Sequence, residues 1–168
     1  MTNLLTLAKL DEDIKLPLAE TDISSPIQAS LSAYTDIAET RRLKLRCDIQ
    51  PAIILKTHRD TFMQMISILV DNAFKYTPDG GEIFFCLKSN GGKIELVEEN
   101  TCTVGAIDDP ERLFERFYRV DSARTQSGAA SGFGIGLSAA RAITETFGGK
   151  LNASCPAPDK IRFIAKFQ

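Results

Sequence analysis

The chain predicts an α/β fold, a two-layer sandwich in which helices cover one face of a mixed β-sheet. Three observations carry that prediction. Periodic segments follow one another as helix, strands, helix, hairpin, long connection, helix, strands. The runs "EIFFCLKS" and "KIELVEEN" alternate as strands do and are joined by "NGG", a strong hairpin signal. Finally, 168 residues of which 43% are hydrophobic and 25% charged suffice for one compact core with a short appendage.

Taken in order, Leu4, Leu5, Leu7 and Leu10 form a short helical stripe that "DEDIKLPLAETD" ends at Pro17. It reads as the end of a helix belonging to something upstream. A helix is expected to start at Ser24 or Ser25, ahead of Pro26, and to run to about Arg42. Its buried face would carry Ile27, Leu31, Tyr34, Ile37 and Ala38. "RLKLRCDI" and "AIIL" then read as short strands. The long helix from Arg59 to Tyr76 turns Phe62, Met65, Ile66, Leu69, Ala73 and Tyr76 inward, and "PDGG" ends it. Beyond the hairpin and Asn100 lies a polar connection of about thirty residues to Ser131. Such long connections within a compact domain are commonly lids or binding loops. A helix to about Phe147 and strands near Leu151 and at "IRFIAKF" complete the chain.

Charge narrows the function classes. With 20 Lys+Arg against 22 Asp+Glu, the formal net charge is −2, which provides no field for collecting nucleic acid or an anionic membrane surface. No nucleic-acid partner and no membrane contact are expected. Apolar runs fall short of the roughly 20 residues that span a bilayer. The start "MTNLLTLAKLDED" lacks the basic end, apolar stretch and cleavage site of a signal peptide. Cys47, Cys86, Cys102 and Cys155 are scattered with no CxxC pair, so reduced thiols are expected in place of zinc or a disulfide framework.

Two constellations suggest chemistry. In the long helix Asn72, Lys75 and Tyr76 stand at i, i+3 and i+4, along one edge of the apolar face. An amide oxygen suits a hard cation, an ammonium suits phosphate, and a tyrosine can offer its ring or hydroxyl to a base or sugar. The same three residues also fit an ordinary helix end. In "SGFGIGLSAARAITETFGG", Gly132, Gly134 and Gly136 precede a good helix former, although each glycine costs roughly 1 kcal/mol inside a helix. Either they form a plain flexible loop, or they let backbone N–H groups and the helix dipole approach an anion. The lid candidate "LFERFYRVDSARTQSG" offers an apolar turn of Leu113, Phe114, Phe117 and Tyr118, with Arg116, Arg119 and Arg124 able to reach an anion.

These pieces, in this order, resemble the catalytic, ATP-binding domain of two-component sensor histidine kinases, in the GHKL superfamily with gyrase and the heat-shock chaperone of the same fold. "ILVDNAFKYTPDGGEI" resembles the N box, "LFERFYR" the F box and "GFGIGLSAARAI" the second glycine box, over roughly Ile23 to Phe167. The resemblance implies the Bergerat ATP-binding fold, with a long ATP lid at about 105–131 and a catalytic domain at 17–168. It also implies that 1–16 is the remnant of a dimerisation helix and linker, since "NLLTLAKLDED" resembles the end of such a helix.

Carried over residue by residue, the resemblance makes Asn72 the Mg2+ ligand, Lys75 a phosphate contact and Tyr76 a neighbour of the nucleotide. Gly132, Gly134, Gly136 and Leu137 become the phosphate-facing hinge. Phe114 and Phe117 anchor the lid, and Arg119 is its arginine nearest the phosphates. The sequence also departs from the family. Asn100 stands where an aspartate usually accepts from the adenine amino group, Gly105 is the only glycine nearby, and Ile68 replaces a first N-box asparagine.

The implied activity is presentation of the ATP γ-phosphate to a histidine on a dimerisation domain, for onward transfer to a response regulator. The only histidine, His58, lies in "KTHRDTF" at a helix start, without the surroundings of a phosphoacceptor. The acceptor must therefore come from outside this chain. A cytoplasmic location is expected, with a membrane-anchored parent. The alternatives are a catalytically degenerate nucleotide-sensing or docking module, and a kinase with a serine acceptor.

Overall fold

The computed structural model describes residues 16–102, 107–118 and 135–168. The elements are β1 (Ala19–Asp22), α1 (Ser24–Ser32), α2 (Thr35–Thr40), β2 (Lys44–Ile49), β3 (Ile54–Thr57), α3 (Arg59–Tyr76), β4 (Glu82–Asn90) and β5 (Lys93–Thr101). They are followed by a 3-10 turn (Pro110–Phe114), α4 (Gly136–Thr146), β6 (Lys150–Ala157) and β7 (Lys160–Phe167). Five strands form the main sheet in the order β2-β4-β5-β7-β6. Only β2 against β4 is parallel; the other pairs are antiparallel, so the sheet is mixed as expected.

Strand alternation divides the sheet into two unlike faces. Ile83, Phe85, Leu87, Leu96, Phe163, Ala165 and Phe167 point inward and are buried. They meet the apolar stripes of α3 and α4, which carry Phe62, Met65, Ile66, Leu69, Ala139, Ala140 and Ile143. Burial of a phenylalanine such as Phe62 or Phe163 stabilises the fold by about 1.5–3 kcal/mol, which makes these rings its principal anchors. The opposite face is polar: Arg162 Nε donates to Glu99 Oε2 at 2.7 Å, and Lys160 Nζ lies 3.3 Å from Glu99 Oε1. Charges paired in that way tolerate water, so one layer of helices suffices.

The hairpin closes through Gly91 and Gly92, at φ +58° and +81°, the double left-handed geometry of a tight two-residue turn. Its register runs from Ile83 opposite Asn100 to Asn90 opposite Lys93. His58 precedes α3 as its cap, accepting from the Thr61 backbone N–H at 3.4 Å, which agrees with its reading as a helix-start residue.

Several local expectations change. The single helix from Ser24 to Arg42 is two, α1 and α2, broken at Ala33 and Tyr34. The Thr35 hydroxyl donates to the Ser32 carbonyl at 2.9 Å, competing with helical bonding there. The break frees Tyr34 to pack on Phe74 with ring centres 4.6 Å apart. It also leaves Ile37 exposed, where an unbroken helix would have buried it. Tyr76 is only half-buried, and Phe74 fills the core in its place. The "AIIL" strand does not join the main sheet: β3 pairs with β1, a strand of polar composition with no sequence signal.

Candidate functional site

The last turns of α3 present Asn72 and Tyr76 half-buried and Lys75 exposed, along one edge of the helix. Lys75 Nζ lies 5.3 Å from the centre of the Tyr76 ring, so the cation rests on an aromatic face. This helix end is held firmly. Arg41 donates through Nη2 to the Thr77 carbonyl at 2.6 Å and through Nη1 to the Phe74 carbonyl, while its Nε meets Asp79 Oδ1 at 2.8 Å. A guanidinium thus satisfies carbonyls that a helix C-terminus leaves open. The Thr77 hydroxyl donates to the Ala73 carbonyl at 2.6 Å, which also accepts the Thr77 backbone N–H at 3.1 Å.

Asn100 lies near the end of β5 on the inner face and is 1% exposed. Its Nδ2 donates to the Thr101 carbonyl at 2.9 Å, while its Oδ1 is buried with no partner. Two residues earlier Glu98 is fully buried on the same face, and neither of its carboxyl oxygens has a hydrogen bond. Burial, assisted by the charge of neighbouring Glu99, pushes the Glu98 carboxyl well above its ordinary range.

Helix α4 begins at Gly136, with no side chain capping its first N–H groups and no acidic residue in its first turn. Gly136 and Leu137 are partly buried there. Uncapped amides at a helix start carry partial positive charge and favour an anion. The expected hinge and lid fall mostly elsewhere: Gly105, Arg119, Gly132 and Gly134 lie outside the described residues.

The described part of the lid candidate is clasped to the body. Phe114 is buried and meets Phe163 edge-on with ring centres 5.9 Å apart. Arg141 of α4 stacks on Phe114, ion-pairs with Glu111 and donates to the Leu151 carbonyl at 2.9 Å. Glu111 Oε1 also accepts from the Ala153 backbone N–H at 2.8 Å. Phe117 does not share the expected anchoring role: it is 70% exposed and has φ +68°, a left-handed backbone that swings its ring off the body. Glu98, Glu111, Arg141 and Arg41 were not singled out in the sequence. For Glu98 a signal existed, because extending the inward alternation of Ile94 and Leu96 lands on Glu98 and Asn100.

The donor set fits a nucleotide. A buried orphaned acceptor at Asn100 matches an exocyclic amine, and the amide oxygen of Asn72 is a hard ligand suited to magnesium. Among the described residues no group of His, Cys, Asp and Glu could hold a metal by itself, so a cation here would draw its other ligands from phosphate and water. No described helix is long and apolar enough to cross a membrane.

Residues 57–168 match the family of histidine kinase-, DNA gyrase B- and HSP90-like ATPases. The sensor protein CiaH of Streptococcus pneumoniae is 33% identical over 165 residues, covering 98% of this chain and 36% of CiaH. The signal transduction histidine-protein kinase BaeS of Escherichia coli is 27% identical over 136 residues, 81% of this chain and 29% of BaeS. The chain therefore spans about a third of the length of these relatives. Full-length ShkA in complex with AMPPNP superposes with a TM-score of 0.79 at 19% identity, covering 98% of this chain and 34% of ShkA. Histidine kinase ThkA in complex with response regulator protein TrrA gives 0.76 at 17% identity, covering 99% of this chain and 46% of the other. With its mixed sheet, the unpartnered acceptor at Asn100 and this match over α3 to β7, the chain belongs to the histidine kinase-, DNA gyrase B- and HSP90-like ATPase family, as an ATP-binding catalytic domain of the sensor histidine kinase type.

Proposed function

We propose that this domain binds ATP with Mg2+ and presents the γ-phosphate to a histidine on a dimerisation domain of a longer parent protein, for onward transfer to a response regulator. The observation that carries the reading is the buried, unpartnered Oδ1 of Asn100, an acceptor suited to the adenine amino group. Tyr76 lies against the nucleotide, Lys75 leaves its aromatic rest for the phosphates, and the backbone amides at Gly136 and Leu137 direct positive charge to the same anion. Gly105, Gly132 and Gly134 let the backbone approach, and Arg119 supplies charge from the lid. Asn72 provides the oxygen that holds Mg2+. When bound, Mg2+ neutralises phosphate charge and fixes phosphate geometry.

Phosphoryl transfer requires positioning and charge neutralisation more than covalent help, and this set supplies both without a nucleophile of its own. Within the parent, residues 1–16 would be the remnant of a dimerisation helix and linker, 17–168 the catalytic domain and about 105–131 the lid. The domain would work in the cytoplasm beneath a membrane-anchored sensor. Calorimetric titration with AMPPNP, with and without magnesium, tests the reading beside Asn72→Ala. Magnesium-dependent binding reduced at least tenfold in the variant is expected. A folded domain that binds no AMPPNP would favour a docking module instead.

A further inference from the structure

The outer face of the main sheet combines an apolar patch with an excess of positive charge. Strand alternation turns Phe84 and Cys86 of β4, Val97 of β5 and Ile164 of β7 outward. Register sets Cys86, Val97 and Ile164 in one cross-strand row, with Phe84 beside it. All four are half-buried. The ion pairs of this face account for its charges but not for these apolar groups.

The overall charge of −2 conceals a strong asymmetry. Outward cations are Lys44 and Arg46 on β2 and Lys88 and Lys93 in the hairpin. Strands β6 and β7 add Lys150, Lys160, Arg162 and Lys166 and contain no acid. The four outward acids are already paired on the face: Asp48 with Lys88 at 2.7 Å, Glu82 with Lys44 at 3.3 Å, Glu95 with Lys166 at 3.3 Å and Glu99 with Arg162 at 2.6 Å. Eight cations against four acids leave +4 on this face, and therefore −6 on the rest of a chain whose total is −2.

The shape suits a rod. Arg46 and Arg162 share one cross-strand row with Phe84 and Glu99 between them, so the two guanidinium-bearing strands are three spacings, about 14 Å, apart. A hollow of about 270 Å³ lies there, lined by Arg46, Glu82, Phe84, Glu99, Lys160 and Arg162. An α-helix with its side chains is about 10–12 Å across and fits between those arms. We propose that the outer sheet face docks an acidic amphipathic helix of a partner protein. Its apolar stripe lies on Phe84, Cys86, Val97 and Ile164, and its flanking carboxylates reach Arg46 on one side and Arg162 and Lys166 on the other. The apolar groups lie below the reach of the surrounding arginines and lysines, so they meet a helix set between those arms and not the plane of a bilayer. The proposal is independent of the ATP reading, because Asn72, Lys75 and Tyr76 belong to α3 on the opposite face of the sheet.

The test titrates the nitrogen-15-labelled chain with a helical peptide of about 15 residues, leucine at i, i+3, i+4 and i+7 and glutamate on both flanks. Amide shifts should change along β4, β5 and β7. A counterpart with lysine for glutamate, and a scrambled peptide of the same composition, should each bind at least tenfold more weakly. Arg46, 68% exposed, can be reversed without disturbing the core, and Arg46→Glu should weaken the glutamate peptide at least threefold while leaving AMPPNP binding unchanged. Arg46→Glu with Lys166→Glu should weaken it at least tenfold. Equal binding of the three peptides, shifts confined to other surfaces, or no effect of Arg46→Glu overturns the proposal. So does retention of the chain by phosphatidylserine vesicles in sedimentation without binding of the glutamate peptide, which assigns the face to a lipid surface.

Discussion

The guanidinium of Arg141 lies 3.5 Å from the centre of the Phe114 ring, tying α4 to the 3-10 turn Pro110–Phe114. The same group pairs with Glu111 and bonds the Leu151 carbonyl, so one side chain joins three parts of the fold. Arg141→Ala should lower unfolding free energy by about 1–3 kcal/mol, through the lost cation–π contact and the charge-assisted bonds. Arg141→Lys should recover only part of this, because an ammonium cannot stack and fork at once. Urea denaturation measures both, and equal midpoints for wild type and Arg141→Ala would refute the clasp.

Tyr34 and Asp71 give stability a dependence on high pH. The tyrosine hydroxyl donates to the Asp71 carboxylate, and that bond, with burial and the negative charge, raises the tyrosine to about 12. The unfolded chain would lose this proton near pH 10. The contribution is therefore fully present below pH 10 and is lost as pH rises toward 12. Tyr34→Phe should be less stable than wild type at pH 8 and converge with it above pH 12. Thermal melts across this range follow the difference, and a constant gap would show that the hydrogen bond is not its source.

Two glycines should respond differently to alanine. A Cβ at Gly149 would stand 2.5 Å from Phe167 Cδ1 and 2.7 Å from the Lys166 carbonyl oxygen, with Phe167 fully enclosed in the core. Gly149→Ala must displace that ring or the backbone of β7, at a cost of about 2 kcal/mol or more. Gly91→Ala meets open space, so its cost is confined to the left-handed backbone and should be about 1 kcal/mol. Chemical denaturation of the two variants should rank them in that order.

Elements with strong local signals were legible in the sequence. The β4–β5 hairpin announced itself through alternation and "NGG", and α3 through its apolar period, because both patterns are local consequences of burial on one face. Strand β1 was not legible: "AETD" has no apolar alternation, and it is a strand only because β3 offers its edge. The break between α1 and α2 depends on Tyr34 finding Phe74 and Asp71, residues distant in sequence. At the candidate site, Asn72, Lys75 and Tyr76 followed from helical spacing. Glu98 escaped notice because strand propensity treats a glutamate as an outward residue, whereas register places it inside. Arg141 and Glu111 pair across a separation of 30 residues, beyond any local pattern.

The single parallel pairing in the sheet bears on how the domain comes to exist. Lys44 of β2 stands opposite Glu82 of β4, 38 positions later, and the whole of α3 lies within that crossover. A two-residue turn lets β4 and β5 find each other in microseconds, but the parallel bond must first offset the closure entropy of the long loop. Refolding should therefore be limited by that closure, which is also the event that seats the apolar stripe of α3 against the sheet. A nascent chain halted before β4 lacks the strand on which β2 must settle, and so acquires its candidate site only when the topology itself is completed.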